Sequence, residues 1–535
     1  MRMSIRSVAS AAALAVISTF LPWTAGTSGA SPPGTSPPET VTRVDQGWLR
    51  GESTDGVVRF EGVPFAAPPV GERRWTPPRR PQRWHGVRDA REPAEECAQL
   101  ETDENGDTVA RGSEDCLYLN VTRPAGDRRH RPMPVIVWLY GGGLTSGAGS
   151  EYDAARLAKA AGAVVVTPNY RLGGLGFLSS TALDTRRAVS GNYGLMDQTE
   201  ALRWVRRNIR AFGGDRRTVT LMGQSAGARS VCAHLASPRS RGLFDRAVVM
   251  SGACTNAVMT KDAADNKGAR AVRTIGCADA TDVAACLRAA PTRRVLESLP
   301  AETPVTGRVA DDAWGPVAGT PFLPKQPGTA LRHGAAAGIP LLIGSVRDEM
   351  RPFVASAYDL KGGDNVLTVQ EYEDLVGETF GTKAPAVLAR YPATDYDRPA
   401  FALAAVLTDW GKRIGACPTL ETARAAARTT PVYAYEVTQD SGVVAGGIPF
   451  GAYHGSELPY LFDLAWTTPG DERLTPVMLG YWAQFARTGN PNGKDLPTWR
   501  RFNGREIVQG LAAERVAPVP FSAVHKCAFW TPSAS

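Results

Sequence analysis

The residues Gly223-Gln224-Ser225-Ala226-Gly227 fit the pattern G-x-S-x-G, which sets a serine on a sharp strand-to-helix turn with its hydroxyl exposed for attack. Ser225 is therefore a candidate nucleophile. The flanks agree with that geometry: Val219-Thr220-Leu221-Met222 reads as a short buried strand, and Ala226-Gly227-Ala228 keeps the start of the next helix free of bulk. The pentapeptide alone does not decide the matter, because a chain with 55 glycines makes small-residue turns for other reasons. A second segment offers matching chemistry. Tyr140-Gly141-Gly142-Gly143 follows an apolar run ending at Leu139, where glycines let backbone N–H groups converge on one point. Tetrahedral intermediates of acyl transfer carry negative charge on the former carbonyl oxygen, and one donor aimed there is worth about 2.7 to 4 kcal/mol. The N–H groups of Gly142 and Gly143, with that of Ala226 just after the serine, are the predicted oxyanion donors. A phosphate loop is disfavoured, since neither GxxxxGK followed by Ser or Thr nor GxGxxG occurs at this turn.

These groups need a scaffold. Apolar, β-rich runs recur at Val135 to Tyr140, Ala163 to Thr167, Val219 to Met222, Ala247 to Met250, Leu341 to Gly344 and Val432 to Val437, as suits central strands covered on both faces. Between them the period changes. Gln198 to Phe212 sets Leu202, Val205, Ile209 and Phe212 on one helical face, with Gly213-Gly214 as a stop. Strands alternating with helices of these lengths imply right-handed crossovers and a mostly parallel α/β sheet. With no internal repeat and no Pro/Gly-rich linker inside 40–530, one large domain is expected. The stretches 255–335 and 355–430 read as helical excursions over the sheet, where a substrate gorge could form.

At 535 residues, 43% hydrophobic and 21% charged, the chain has the composition of a globular protein. Residues 1–30 depart from it: Arg2 and Arg6 precede the apolar run Ala11 to Leu21, and Ser28-Gly29-Ala30 offers the small residues of a cleavage site, so a secretion signal is predicted. The run is too short to span a bilayer. Residues 31–39 read as a disordered linker, 40–530 as the domain and 531–535 as a tail; the mature protein is expected to be extracellular, with no membrane span. The net charge of +7 comes with arginine pairs scattered along the chain, so a nucleic-acid partner is not expected. Eight cysteines form no CxxC and six histidines form no HExxH, which argues for disulfides in an exported chain and against a catalytic metal or cofactor.

Longer motifs run through the whole sequence in order. Phe60-Glu61-Gly62-Val63-Pro64-Phe65-Ala66, Glu114-Asp115-Cys116-Leu117-Tyr118-Leu119-Asn120, Gly191-Asn192-Tyr193-Gly194-Leu195-Met196-Asp197-Gln198 and Phe485-Ala486-Arg487-Thr488-Gly489-Asn490-Pro491-Asn492 are the most specific. With these the chain resembles type-B carboxylesterases of the carboxylesterase/cholinesterase family, which implies an α/β-hydrolase fold and hydrolysis of small carboxylic esters. The resemblance places the catalytic acid on Glu349, with Asp348 the alternative, and the general base on His454 in His454-Gly455-Ser456-Glu457-Leu458-Pro459. A histidine suits that role because its ordinary pKa lies near neutrality. The remaining histidines, at 85, 130, 234, 333 and 525, are expected to be structural. The resemblance also implies disulfides Cys97 with Cys116, Cys277 with Cys286 and Cys417 with Cys527, and buried ion pairs Arg74 with Glu114 and Arg171 with Asp197. Cys232 and Cys254 either pair or leave Cys232 a buried thiol.

Two departures from the family stand out. Gln224 replaces the glutamate usual beside the nucleophile, which implies an altered local pKa and substrate preference rather than loss of activity. The loop between Cys97 and Cys116 contains no tryptophan, whereas cholinesterases place one there to hold quaternary ammonium, so choline esters are not the expected substrate. The alternatives are a lipase or sterol esterase of the same family, or a non-catalytic adhesion relative, which typically lacks a triad member. The natural ester, its acyl length and the oligomeric state are not legible.

Overall fold

The apolar runs picked out above form the middle of one eleven-stranded sheet in the computed structural model, which describes residues 38–531 apart from 104, 127–131, 186–187, 300–313, 362–365, 413, 466, 468–469 and 504–505. The strands are β1 (Glu52–Thr54), β2 (Val57–Pro64), β3 (Tyr118–Pro124), β4 (Met133–Leu139), β5 (Val164–Pro168), β6 (Gly214–Gln224), β7 (Arg246–Met250), β8 (Leu341–Val346), β9 (Val432–Val437), β10 (Val508–Leu511) and β11 (Val516–Val519). Their order across the sheet is β11-β10-β9-β8-β7-β6-β4-β5-β3-β2-β1. All neighbours from β5 across to β10 are parallel, and the flanking strands β1 to β3 and β11 run antiparallel. Every residue of β5, β8 and β9 is buried, as expected where helices cover both faces.

Helix α1 (Tyr193–Asn208) begins ahead of the predicted Gln198. Its start hides from an apolar-stripe reading because polar residues just past its first turn are buried with partners: Asp197 takes two bonds from the Arg171 guanidinium, and Gln198 Oε1 meets His234. The predicted stop holds, with Gly213 at φ 84° after a 3-10 turn, Ile209–Phe212. Helix α2 (Ala226–Ala236) leaves the end of β6. Both expected excursions are helical, and the second, running from Arg351–Ala357 to Ala416–Ala427, carries an apolar cluster of its own around Tyr372, Tyr391 and Val406.

Four disulfides tie the fold: Cys97–Cys116, Cys232–Cys254, Cys277–Cys286 and Cys417–Cys527. The question left open at Cys232 resolves as a bond to Cys254. The ion pairs Arg74–Glu114 and Arg171–Asp197 are present, with little of either side chain exposed. The expected signal and nearly all of the linker lie outside the described residues, as does His130. Glu39, at the end of that linker, accepts a hydrogen bond from the Gly126 N–H. Among the described residues no helix is long and apolar enough to cross a membrane.

Candidate active site

Strand β6 ends at Gln224 and α2 starts at Ala226, so the whole reversal falls on Ser225, held at φ 56° and ψ −121°. Such a backbone in a non-glycine residue stores about 1 to 3 kcal/mol of strain and persists only where the surroundings enforce it. The Ser225 N–H donates to the Met250 carbonyl at the end of β7 (2.9 Å), and its own carbonyl accepts from Arg229 N–H (3.0 Å). Gly227 makes room: a Cβ there would stand 2.0 Å from the Leu139 carbonyl oxygen of β4.

The turn after β4 packs against this elbow. Gly142 and Gly143 lie at φ 86° and 66°, and a Cβ on Gly142 would meet the Ser146 carbonyl oxygen at 2.2 Å. The Gly142 carbonyl is taken by the N–H groups of Thr145 and Ser146, both at 3.0 Å. Among the described residues nothing accepts from the N–H groups of Gly142, Gly143 or Ala226, and all three residues line the cavity that Ser225 also lines.

Glu349 and His454 come from the loops beyond β8 and β9. The wholly buried Glu349 accepts from Val346 N–H through Oε1 (3.1 Å) and lies 2.5 Å from His454 Nδ1 through Oε2. Asp348, the alternative acid, turns the other way: its carboxylate accepts from Ala452 N–H (3.0 Å), its N–H donates to the Ala452 carbonyl (2.8 Å), and Arg351 pairs with it. Asp348 thus fastens the acid loop to the histidine loop. With Nδ1–H directed at a carboxylate, His454 Nε2 carries the ring's lone pair. Its hydrogen bond goes to the Gln224 carboxamide nitrogen (3.3 Å) rather than to Ser225. Phe353 lies against the ring, with centroids 5.4 Å apart.

Burial alone would lower the His454 pKa, but the charge of Glu349 and its hydrogen bond outweigh that, and the net shift is upward from 6.5. Glu457 is also wholly buried, with Oε1 3.4 Å from the Ser251 hydroxyl and Oε2 without a described partner. Burial and then the Glu349 charge push its carboxyl up to about 7. The motif containing Glu457 was visible in the sequence; its burial beside the His–Glu pair was not. The structural reading of His234 fits its contacts with Ser240 and Gln198, where burial lowers it to about 3.

Ser225, Gln224, His454 and the glycine turn open on one cavity of about 820 Å³. Its walls match the expected gorge in part: Leu407, Trp410, Lys412 and Ile414 come from the stretch 355–430. Among the described residues none from 255–335 contributes; the walls are the hairpin residues Gln99 to Thr102, together with Met350, Phe353, Leu407 and Trp410. The arrangement combines a strained serine, an imidazole oriented by a carboxylate whose Nε2 lone pair meets the Gln224 carboxamide, and backbone donors with no acceptor among the described residues. Those are the parts that acyl transfer needs.

The chain matches the Carboxylesterase family over residues 38–530. It is 35% identical to fumonisin B1 esterase of Sphingopyxis macrogoltabida over 90% of this chain and 88% of that one, and 33% identical to para-nitrobenzyl esterase of Bacillus subtilis over 84% and 90%. Human cocaine esterase is 32% identical over 89% and 87%. A solved structure of PNB esterase superposes with a TM-score of 0.76 at 31% identity, covering 91% of this chain and 99% of that one, which bears out the α/β-hydrolase fold. The chain belongs to the carboxylesterase family and is a serine hydrolase acting on carboxylic ester bonds.

Proposed function

We propose that hydrolysis proceeds through an acyl-enzyme on Ser225. His454 Nε2 removes the serine proton as Oγ attacks the ester carbonyl, and the N–H groups of Gly142, Gly143 and Ala226 hold the oxyanion. The imidazolium then returns the proton to the leaving alcohol. Water, activated by the same ring, releases the acid and regenerates Ser225. Glu349 orients His454 and stabilises its protonated form without taking the proton. The observation that carries this reading is the meeting of the elbow serine, the His–Glu pair and three N–H groups without acceptors on one cavity. The Ser225→Ala variant is expected to lose about 10⁴-fold or more in kcat with an unchanged circular dichroism spectrum, and a phosphonate inhibitor is expected to label Ser225 alone. Full turnover by the variant would refute the assignment.

The cavity has the size that takes a drug-sized ligand, and Phe353, Met350, Leu407 and Trp410 give it apolar and aromatic walls. This supports esters with an aromatic or bulky apolar group, in keeping with the names of the para-nitrobenzyl and cocaine esterases. Choline esters are disfavoured, since the Cys97–Cys116 loop brings Gln99 to Thr102 to the cavity and Trp410 already faces Lys412. Faster turnover of acetylcholine than of a benzyl ester would overturn this preference. We also read residues 1–30 as a cleaved secretion signal and 40–530 as a single catalytic domain; four disulfides support an oxidising destination. Protein recovered from culture medium is expected to start near Ser31 by N-terminal sequencing, and an intact Met1 there would exclude cleavage.

A further inference from the structure

A second cleft, of about 650 Å³, lies against the hairpin that walls the catalytic cavity. One side of it is the end of the hairpin, Ala110 to Ser113; the other is the junction between the helices Val283–Ala289 and Thr292–Leu296. Arg74, Arg111, Arg288 and Arg293 line it against a single carboxylate, Glu114.

The charges do not cancel. Glu114 is held by Arg74 Nε (2.8 Å) and by the Thr292 hydroxyl (2.5 Å), while Arg74 spends its remaining donors on Glu114 and on the carbonyls of Leu287 and Ala290. That pair is complete in itself. Arg111 meets Glu101 at 2.8 Å and Arg293 meets Glu297 at 2.6 Å, but the two arginine side chains are 55% and 62% exposed. Exposed pairs of this kind are weak and exchange readily for a better acceptor. Arg288 has no ion pair with a described residue, and its Nε is buried without a hydrogen-bond partner. A cleft with a surplus of guanidinium groups, one of them without an ion pair to a described residue, calls for an acceptor from outside. Planar guanidinium forks match tetrahedral and planar oxyanions.

We propose that this cleft binds a small multivalent oxyanion through Arg288, Arg293 and Arg111, and that occupancy alters the catalytic cavity through the hairpin. The link is physical. Glu101 lines the catalytic cavity, and Arg111 lines the cleft. They sit on opposite strands of one hairpin, where Glu101 faces Val109 and Gln99 faces Arg111, which makes the ion pair a diagonal neighbour contact. When Arg111 turns to an oxyanion, Glu101 loses its counter-charge and presents a full negative charge to the cavity. Esters bearing a cation then bind more tightly. By linkage the cationic ester strengthens oxyanion binding in turn.

Binding rests on the cleft alone, whereas coupling rests also on the catalytic reading of the cavity, and two measurements separate them. Isothermal titration of the full-length mature protein with inorganic phosphate, at ionic strength held constant with sodium chloride, is expected to show one saturable site with a Kd of about 1 mM or tighter. Arg288→Gln and Arg293→Gln are each expected to weaken it at least about tenfold while keeping the thermal unfolding midpoint in chloride. No saturable heat, or equal affinity in Arg288→Gln, would overturn the site. In steady-state kinetics, saturating phosphate is expected to lower KM for an amine-bearing aryl ester, and Glu101→Gln is expected to abolish that change. An unchanged KM alongside a positive titration would overturn the coupling. Absence of turnover of every ester without phosphate would instead count against the catalytic assignment.

Discussion

Gln224 stands between Ser225 and His454, and its carboxamide occupies His454 Nε2, the nitrogen that takes the serine proton in the proposed mechanism. A neutral donor there favours the unprotonated ring. In Gln224→Glu the carboxylate adds its negative charge to that of Glu349, which raises the His454 pKa further. The ring acts as a base only above its pKa, so the acid limb of kcat/KM is expected above pH 6.5 in the wild type and at still higher pH in the variant. Glu457, about 7, titrates in the same window, so the apparent values belong to the cluster as a whole. An acid limb that stays in place in Gln224→Glu would show that the contact does not tune the base. Ser225 was singled out by a local pentapeptide, and Glu349 and His454 by the family resemblance; the structure sets Glu349 against His454 and opens His454 and Ser225 on one cavity. The approach of Gln224 to His454, and the packing of Phe353 on the ring, join segments far apart in the chain, and no local pattern records them.

The elements that place these residues were legible wherever apolar periodicity decides structure. Strands β4 to β9 fall where the runs of Val, Ile and Leu placed them, because a parallel strand buried on both faces must be apolar throughout. The start of α1 was missed because Asp197 and Gln198 are buried as paired groups, which a hydrophobic pattern counts as surface. One wall of the cavity was missed for a related reason: the hairpin Gln99 to Arg111 is short and largely polar, and the Cys97–Cys116 bond and the bond from the Gly147 N–H to Gln99 bring it to the site. The turn after β4 makes its own prediction. A Cβ at Gly142 would overlap the Ser146 carbonyl and shift the Gly142 and Gly143 N–H groups from the place the proposed mechanism gives the oxyanion. Gly142→Ala is expected to lower kcat by about 10²- to 10³-fold with KM little changed. A loss confined to KM would place the turn in substrate binding instead.

Across the whole molecule, the segment from His525 to Trp530 is tied to the loop that carries Glu349. Cys527 is bonded to Cys417, and the Trp530 indole N–H donates to the Tyr391 hydroxyl, which donates in turn to Asp409. Between them His525, 3% exposed, bridges Asp409 (2.5 Å) and Glu436 (2.7 Å), and Glu436 also holds Arg347, the residue before Asp348 and Glu349. The resemblance gave the disulfide; the charge cluster needed the fold, because Asp409 comes from a helix, Glu436 from β9 and His525 from just past the helix Phe521–Val524. Burial would lower the His525 pKa, but hydrogen bonds and charge from both carboxylates raise it to about 9. Glu436 shifts the opposite way: burial raises it, while His525 and then Arg347 more than compensate, leaving it below 4.5. A histidine raised on folding adds stability that is complete below its unfolded value of 6.5 and lost as pH climbs through 9. A carboxylate lowered on folding adds stability that is present above 4.5 and lost as pH falls through its folded value. The cluster is therefore expected to contribute most between about pH 4.5 and 6.5. Replacing His525 by Gln leaves two buried carboxylates without their shared cation and is expected to cost about 3 to 5 kcal/mol at pH 6. The difference in urea unfolding free energy between wild type and His525→Gln is expected to shrink steadily from pH 6.5 to 9. A difference that holds constant or widens over that interval would mean that the His525 charge does not stabilise the fold.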